Sequence, residues 1–404
     1  MVASRKTVRL TGLLIVVALF FGFSLTGCGR DAAAPKDTAP ETPKVVKIGF
    51  IGPLTGPNAY QGTGARNAFN LAIKLANESG QFPFKIEVIE MDDASTPATG
   101  VSAALKITSD PDVVAASGHW NSPVAEATIP VFKQAGIPFV IWGAISPTLT
   151  TAENYPIVTR VCPTSVQENI PLANFAIDQM GLKKWVIISD TSVYGKNNTA
   201  AWKDEVGKRA GAEILSVDEI QVGQTDFRPI LTKIKSLNPD AVYFGGVVME
   251  GALIKQQMAE LGITVPMAAI SGIGSEKYIE VAGANAEGTI SSKPGKSIDK
   301  LPGGAQFVAE YEKAGFKEPF GVYGPYAYDA AGIILAALKQ VGPDRDKLID
   351  AIAKIEYSGL LGTTKFNSVG QTTNAIATIL VVQDGKWVPW DDSEYATGKR
   401  TLPK

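Results

Sequence analysis

One histidine, His119, and two cysteines, Cys28 and Cys162, make up the whole supply of imidazole and thiol in 404 residues. A Ser-His-Asp arrangement would have to pass through His119, and His/Cys clusters with metal-site spacing are absent. His119 follows Gly118 at the end of an apolar run, where it reads as loop support, with a catalytic part as the alternative. Cys162 sits beside Pro163 with no histidine near it in sequence, and it reads as a small buried hydrophobe rather than a nucleophile. No G-x-x-x-x-G-K-[ST] occurs, so any nucleotide hydrolysis would belong to a partner. What remains is recognition chemistry. Hydroxyls, amides and aromatics stand on short loops that begin helices, and the expectation is a binding protein, not an enzyme, without metal or cofactor.

Those loops need elements to hold them. Strands are predicted at Val45–Gly52, 85–91, Val113–Ser117, 138–142, 185–189, 213–217, Ala241–Gly245 and 267–270, each rich in β-branched or aromatic residues and flanked by Gly, Pro or Asp. Between them, Ala65/Ala68/Phe69/Ala72/Ile73/Ala76, Val166/Ile170/Ala173/Ile177/Met180 and Phe227/Ile230/Leu231/Ile234/Leu237 keep helical spacing. Strands that are apolar on both faces and alternate with helices predict parallel sheets covered on both sides. The pattern pauses at 157–165 and restarts, so two doubly wound lobes of about four strands each are expected. After Gly288, helical patterns at 305–314, 330–341 and 346–355 precede a short strand at 363–367 and a hairpin around 383–386. The chain is therefore expected to return to the first lobe and cross once more to the second, its crossings forming a hinge suited to closure. In open parallel sheets, ligands sit beyond the carboxyl ends of the strands. The loops to read are then 52–62, 117–123, 143–147, 190–195, 245–250 and 271–275.

With 45% hydrophobic and 19% charged residues the chain can bury sizeable cores, and its length exceeds what one core usually serves. Lys+Arg 38 against Asp+Glu 40 leaves no basic excess for nucleic acid. Arg5, Lys6 and Arg9 precede an apolar stretch that ends in small residues, the pattern of a secretory leader, with an uncleaved anchor helix as the alternative. Leu25-Thr26-Gly27-Cys28 then resembles the bacterial lipoprotein box. Acylation of Cys28 would give a two-chain anchor and would leave no partner for a disulfide to Cys162. The Pro/Ala/polar stretch that follows reads as a tether to a body starting near Val45. The expected division is leader 1–27, tether 28–44, first lobe 45–163 with 292–366, and second lobe 164–291 with 367–404.

The loops also carry a resemblance. IGFIGPLTGPNAYQG, IEMDDASTP, ASGHWNSPVA, ISDTSVYG, QTDFRPILTKIKSLNPDAVYFGG and YGPYAYDAA, in that order, resemble the periplasmic leucine/isoleucine/valine-binding protein family. The resemblance implies a type I periplasmic-binding-protein fold, with two Rossmann-like lobes joined by three strands. It also implies a monomer that delivers a small solute to the permease and ATPase subunits of an ABC transporter from outside the cell membrane. It turns Asp92-Asp93 from a possible Mg²⁺ pair into a strand end that fixes turns. It places the ligand's carboxylate on Ser122 and on the amides of Gly143, Ala144 and Ile145, although Ser122 could equally be a plain N-cap. Tyr194 matches an aromatic stacked on the solute. Gln61, with Tyr60 beside it, aligns with a position that is often aromatic, and Trp120, Asn121 and Val247 fill neighbouring loop positions. The ammonium end departs from the pattern, because Ile145 stands where a threonine is usual and Ser271 aligns with the family's acid. Either Glu250, Asp190 or another acid moves in, or the cargo is an aromatic or aliphatic acid or an amide, which Ile145 and Trp142 would suit. A ligand-sensing role is the remaining alternative to import.

Overall fold

The structure, a computed structural model, describes residues 45–402; the leader, Cys28 and the tether lie outside the described residues. Five parallel strands form the first sheet: β1 (Val45–Gly52), β2 (Lys85–Asp92), β3 (Val113–Ser117), β4 (Phe139–Ile141) and β5 (Val158–Arg160). Their order is β2-β1-β3-β4-β5. The second sheet is built on β6 (Lys184–Asp190), β7 (Glu213–Ile220), β8 (Ala241–Gly245), β9 (Met267–Ala269) and β10 (Ile290–Pro294), all parallel. Two later strands, β13 (Ala377–Gln383) and β14 (Lys386–Pro389), add to it antiparallel, giving the order β14-β13-β10-β9-β8-β6-β7. A separate two-stranded hairpin, β11 (Glu356–Gly359) with β12 (Gly362–Lys365), completes the strands. The expected strand at 363–367 is thus half of that hairpin. The pause at 157–165 holds β5, whose three residues are too few to show a period.

Fully buried runs explain the parallel pairing: β3 and β8 are buried at every position, as sheets covered on both faces require. In the first sheet, α1 (Ala59–Glu78) and α10 (Gly324–Val341) pack together on one face, and α2 (Pro97–Thr108) and α3 (Ser122–Ala135) pair on the other. Phe50, Phe69, Ile73, Ile333 and Ile334 belong to one core; Ala103, Ile107, Ile129, Phe132 and Phe139 belong to another. The second sheet is flanked by α4 (Ser165–Ala173), α5 (Val193–Gly207), α6 (Arg228–Ser236), α7 (Val248–Glu260) and α8 (Glu276–Ala282). The architecture is two doubly wound α/β lobes. The chain passes between them after β5, after β10 and before β13, and the parallel bridge Arg160↔Gln371 ties two of these crossings side by side.

One helix departs from its predicted face. Val166 and Ile170, expected to be buried, are 37% and 40% exposed, while Ser165, Glu168, Asn169, Leu172, Ala173, Phe175 and Ala176 face inward. Pro171 removes an intrahelical donor and the chain continues as a π-helical turn at Asn174–Gln179, so one helical phase does not run through the segment.

Candidate functional site

Every parallel strand that carries a predicted loop delivers it to the same place. A cavity of about 230 Å³ is lined from the first lobe by Pro57 and Asn58 after β1, Ala94–Thr96 after β2, Trp120–Pro123 after β3, and Gly143 and Ile145 after β4. From the second lobe it takes Asp190, Ser192 and Tyr194 after β6, Val222 after β7, Val247 after β8 and Gly272 after β9. Tyr323, immediately before α10, closes the set. All of these but Tyr323 follow the carboxyl ends of strands, where doubly wound sheets present helix N-termini and free backbone N–H groups.

The anion-suited side is built around Ser122. The helix is capped by Asn121, not by Ser122, and Asn121 makes no side-chain cap bond, so the plain N-cap alternative for Ser122 is corrected. Ser122 is fully buried, and its Oγ accepts the Ser146 N–H at 3.2 Å, which leaves its own O–H free to donate. Arg160 secures the facing loop from below. Its Nη1 donates to the carbonyls of Ala144 (3.1 Å) and Ser146 (2.5 Å), Nη2 to Thr150, and Nε to Gln371. Burial pulls the guanidinium down to about 10, still well above neutrality. His119 is the loop support on the other flank: Nδ1 meets Asp93 at 2.8 Å and Nε2 meets Thr128 at 2.9 Å, all three buried. Every heteroatom of the imidazole is thereby engaged.

Of the residues singled out from sequence, Trp120, Asn121, Ser122, Gly143, Ile145, Asp190, Tyr194 and Val247 line this cavity, whereas Glu250 does not and accepts the Gly223 N–H. Ala144 does not line it either; it is buried in the first lobe's core and its carbonyl serves Arg160. Ser271 stands one residue behind the wall at Gly272, accepting from the Tyr323 hydroxyl at 3.0 Å. Tyr60 and Gln61 line a neighbouring cavity of about 460 Å³ with Ser275, Glu276 and Lys293. Trp142 is a core residue, stacked on Phe50 at 5.8 Å and fully buried. Cys162 is buried, with its thiol pushed up to about 12 by desolvation, so it is inert. Ala94–Thr96, Val222 and Tyr323 were not among the predicted site residues; Ala94–Thr96 and Tyr323 lay inside the motifs IEMDDASTP and YGPYAYDAA, whereas Val222 follows a strand without any distinctive residue type. No group of His, Cys, Asp and Glu suited to a metal exists among the described residues.

A cleft between two doubly wound lobes, fed by both sheets, defines a small-solute binding protein. The profile of the family described as "Periplasmic binding protein" matches residues 45–386. The chain belongs to that family, whose members bind solutes outside the cytoplasm. It is 29% identical over 349 residues, 85% of this chain and 93% of the other, to "Leu/Ile/Val-binding protein homolog 3" of Brucella melitensis. Among solved structures, a leucine-binding protein of Thermotoga maritima is 25% identical with a TM-score of 0.75, covering 85% of this chain and 97% of that one. A solute-binding protein of an ABC transporter from Rhodopseudomonas palustris, in complex with 3,4-dihydroxybenzoic acid, is 25% identical with a TM-score of 0.73, covering 85% and 95%.

Proposed function

We propose that this protein is the solute-binding component of an ABC importer of the branched-chain amino-acid type, holding one small amino acid or related carboxylate between its lobes without transforming it. The carrying observation is the cavity itself. It is sized for a small solute, lined by both sheets, and furnished with a buried hydroxyl donor on Ser122 above the Arg160-braced loop. An anion there gains a charge-assisted hydrogen bond and the N-terminal end of α3. The Brucella and Thermotoga relatives, by their names, support a branched-chain amino acid as cargo. Engagement of permease and ATPase subunits, export, and a diacyl anchor on Cys28 complete the reading, with lobes 45–163 plus 292–366 and 164–291 plus 367–404 as the moving bodies of a monomer. Neither His119 nor Cys162 offers a free nucleophile or base, which supports binding without catalysis.

A second reading has its own support. Trp120, Ile145, Val222 and Val247 make much of the lining apolar, and the Rhodopseudomonas relative holds a benzoic acid. Isothermal titration against leucine, phenylalanine, benzoate and a short amide separates the two. Saturable one-to-one binding of leucine, recovered unchanged, is expected. Binding of benzoate alone would select the second reading, and consumption of any of these compounds would overturn both.

A further inference from the structure

A second cavity, of about 390 Å³, lies at the hinge and shares no lining residue with the cleft. Two crossings between the lobes wall it: Gly295, Lys296 and Lys300 follow β10, and Asn374 and Ile376 precede β13. The Gly295 N–H donates to the Ile376 carbonyl at 2.7 Å, and Thr378 Oγ1 donates to the Gly295 carbonyl at 2.8 Å, so the crossings form one continuous wall. Gly362 of the β11–β12 hairpin and Tyr326 on α10 close the other side. No carboxylate lines it. Lys296 and Lys300 are exposed, and neither makes an ion pair or hydrogen bond among the described residues. Lys293, on the same crossing, forms no ion pair among them either. Burial lowers its pKa against the pull of Asp299 and Glu276, neither of which lines the cavity.

A buried phenol distinguishes this cavity from a basic patch of surface. Tyr326 is 4% exposed, and its hydroxyl has no hydrogen-bond partner among the described residues. A Cβ on Gly295 would stand 2.8 Å from that hydroxyl, so glycine at 295 leaves it open to the cavity. Burial holds the phenol well above its ordinary range, and it stays a donor at neutral pH. A buried donor without an acceptor is a cost that an incoming anion removes.

We infer that the hinge cavity is a second binding site, for a small organic dianion, and that its occupant favours closure on the cargo. Two unpaired ammoniums and a free hydroxyl, with no acid among them, set the charge; a volume larger than the cleft's about 230 Å³ sets the size. A dicarboxylate and a phosphate monoester share that chemistry. A ligand seated on both crossings favours the arrangement in which the bonds between lobes are made. Tyr326 also packs 6.2 Å from Tyr323, a wall of the cleft. The effect on cargo, unlike the site itself, rests on the reading of the cleft as a solute clamp.

Titration calorimetry of the cargo-free protein against succinate and against glycerol 3-phosphate separates the two sources of charge, and saturable binding of at least one is expected. Its affinity should fall roughly 10-fold or more in the double variant Lys296→Ala/Lys300→Ala and in Tyr326→Phe, which keeps the ring, while Ser122→Ala leaves it unchanged. Binding of neither compound overturns the site, as does affinity that survives both hinge variants or is lost in Ser122→Ala. With the dianion saturating, leucine is expected to bind roughly 5-fold tighter or more; unchanged leucine affinity overturns the effector role. If leucine does not bind at all, the reading of the cleft fails, and the dianion titrations still decide the site.

Discussion

Ser122 uses one hydroxyl for two purposes: its lone pair holds the Ser146 N–H, and its proton is free for a ligand oxygen. Ser122→Ala removes the donor and leaves the buried Ser146 amide without an acceptor. Because a hydrogen bond to a charged group contributes about 1.5–3 kcal/mol, affinity for leucine is expected to fall roughly 10- to 100-fold in titration calorimetry. Retained affinity for every carboxylate would remove the anion seat. This residue was legible from its place on a loop after a predicted strand, and so were Trp120 and Tyr194. Arg160 and Glu168 were not. Arg160 meets Gln371 from 211 residues away and Glu168 meets Ser271 from 103, and nothing in VTR or QEN marks a charge that will be buried. Local sequence states a residue's charge, whereas its burial is settled by what folds over it.

At the scale of elements, the β11–β12 hairpin is held to α10 by a single acid. Asp329, fully buried, accepts the N–H groups of Leu360 and Leu361, each at 2.8 Å, from the corner of the hairpin. Desolvation outweighs these donors and pushes its carboxyl up to about 7 from 3.8. A carboxyl whose folded pKa is raised binds its proton more tightly when folded. The stability it contributes is therefore complete below about pH 4 and is lost as pH rises through about 7. Against Asp329→Asn, which cannot ionise, the wild type is expected to lose up to about 4 kcal/mol of relative stability between pH 4 and 8, read from denaturant midpoints at each pH. A constant difference across that range would show that the acid does not titrate there. The elements themselves were legible where a period of two or 3.6 ran long enough. β1, β3 and β8 begin and end where their patterns place them, and α1 keeps its predicted apolar face. The three-residue β5 and the hairpin pair, four residues a side, offered too short a pattern. On α4 the apolar period pointed one residue away from the buried face, because that face is polar where Glu168 and Asn169 meet Ser271, Asn198 and Tyr243; β5 and the hairpin strands are three and four residues long.

At the scale of the molecule, the proposed clamping of a solute requires the lobes to part and meet, and the bonds that span them decide how readily they do so. Two side-chain contacts cross the cleft beside the cavity. Asn197 on α5 donates Nδ2 to Ser146 Oγ at 2.8 Å, and the Tyr323 hydroxyl donates to Ser271 Oγ at 3.0 Å. Both exist only when the lobes are together, so they favour the closed form without touching the anion seat's donor. Removing one raises the cost of closure by the net value of a hydrogen bond, about 0.5–1.5 kcal/mol, and the ligand must supply the difference. Asn197→Ala is therefore expected to weaken leucine roughly 2- to 12-fold, mainly through faster dissociation, while the free protein shows a larger radius of gyration in solution scattering. The compact, leucine-loaded radius should be unchanged, because the closed geometry is set by the cavity walls. A variant that binds more weakly yet scatters identically when free would place the loss at the pocket rather than in the equilibrium between open and closed lobes.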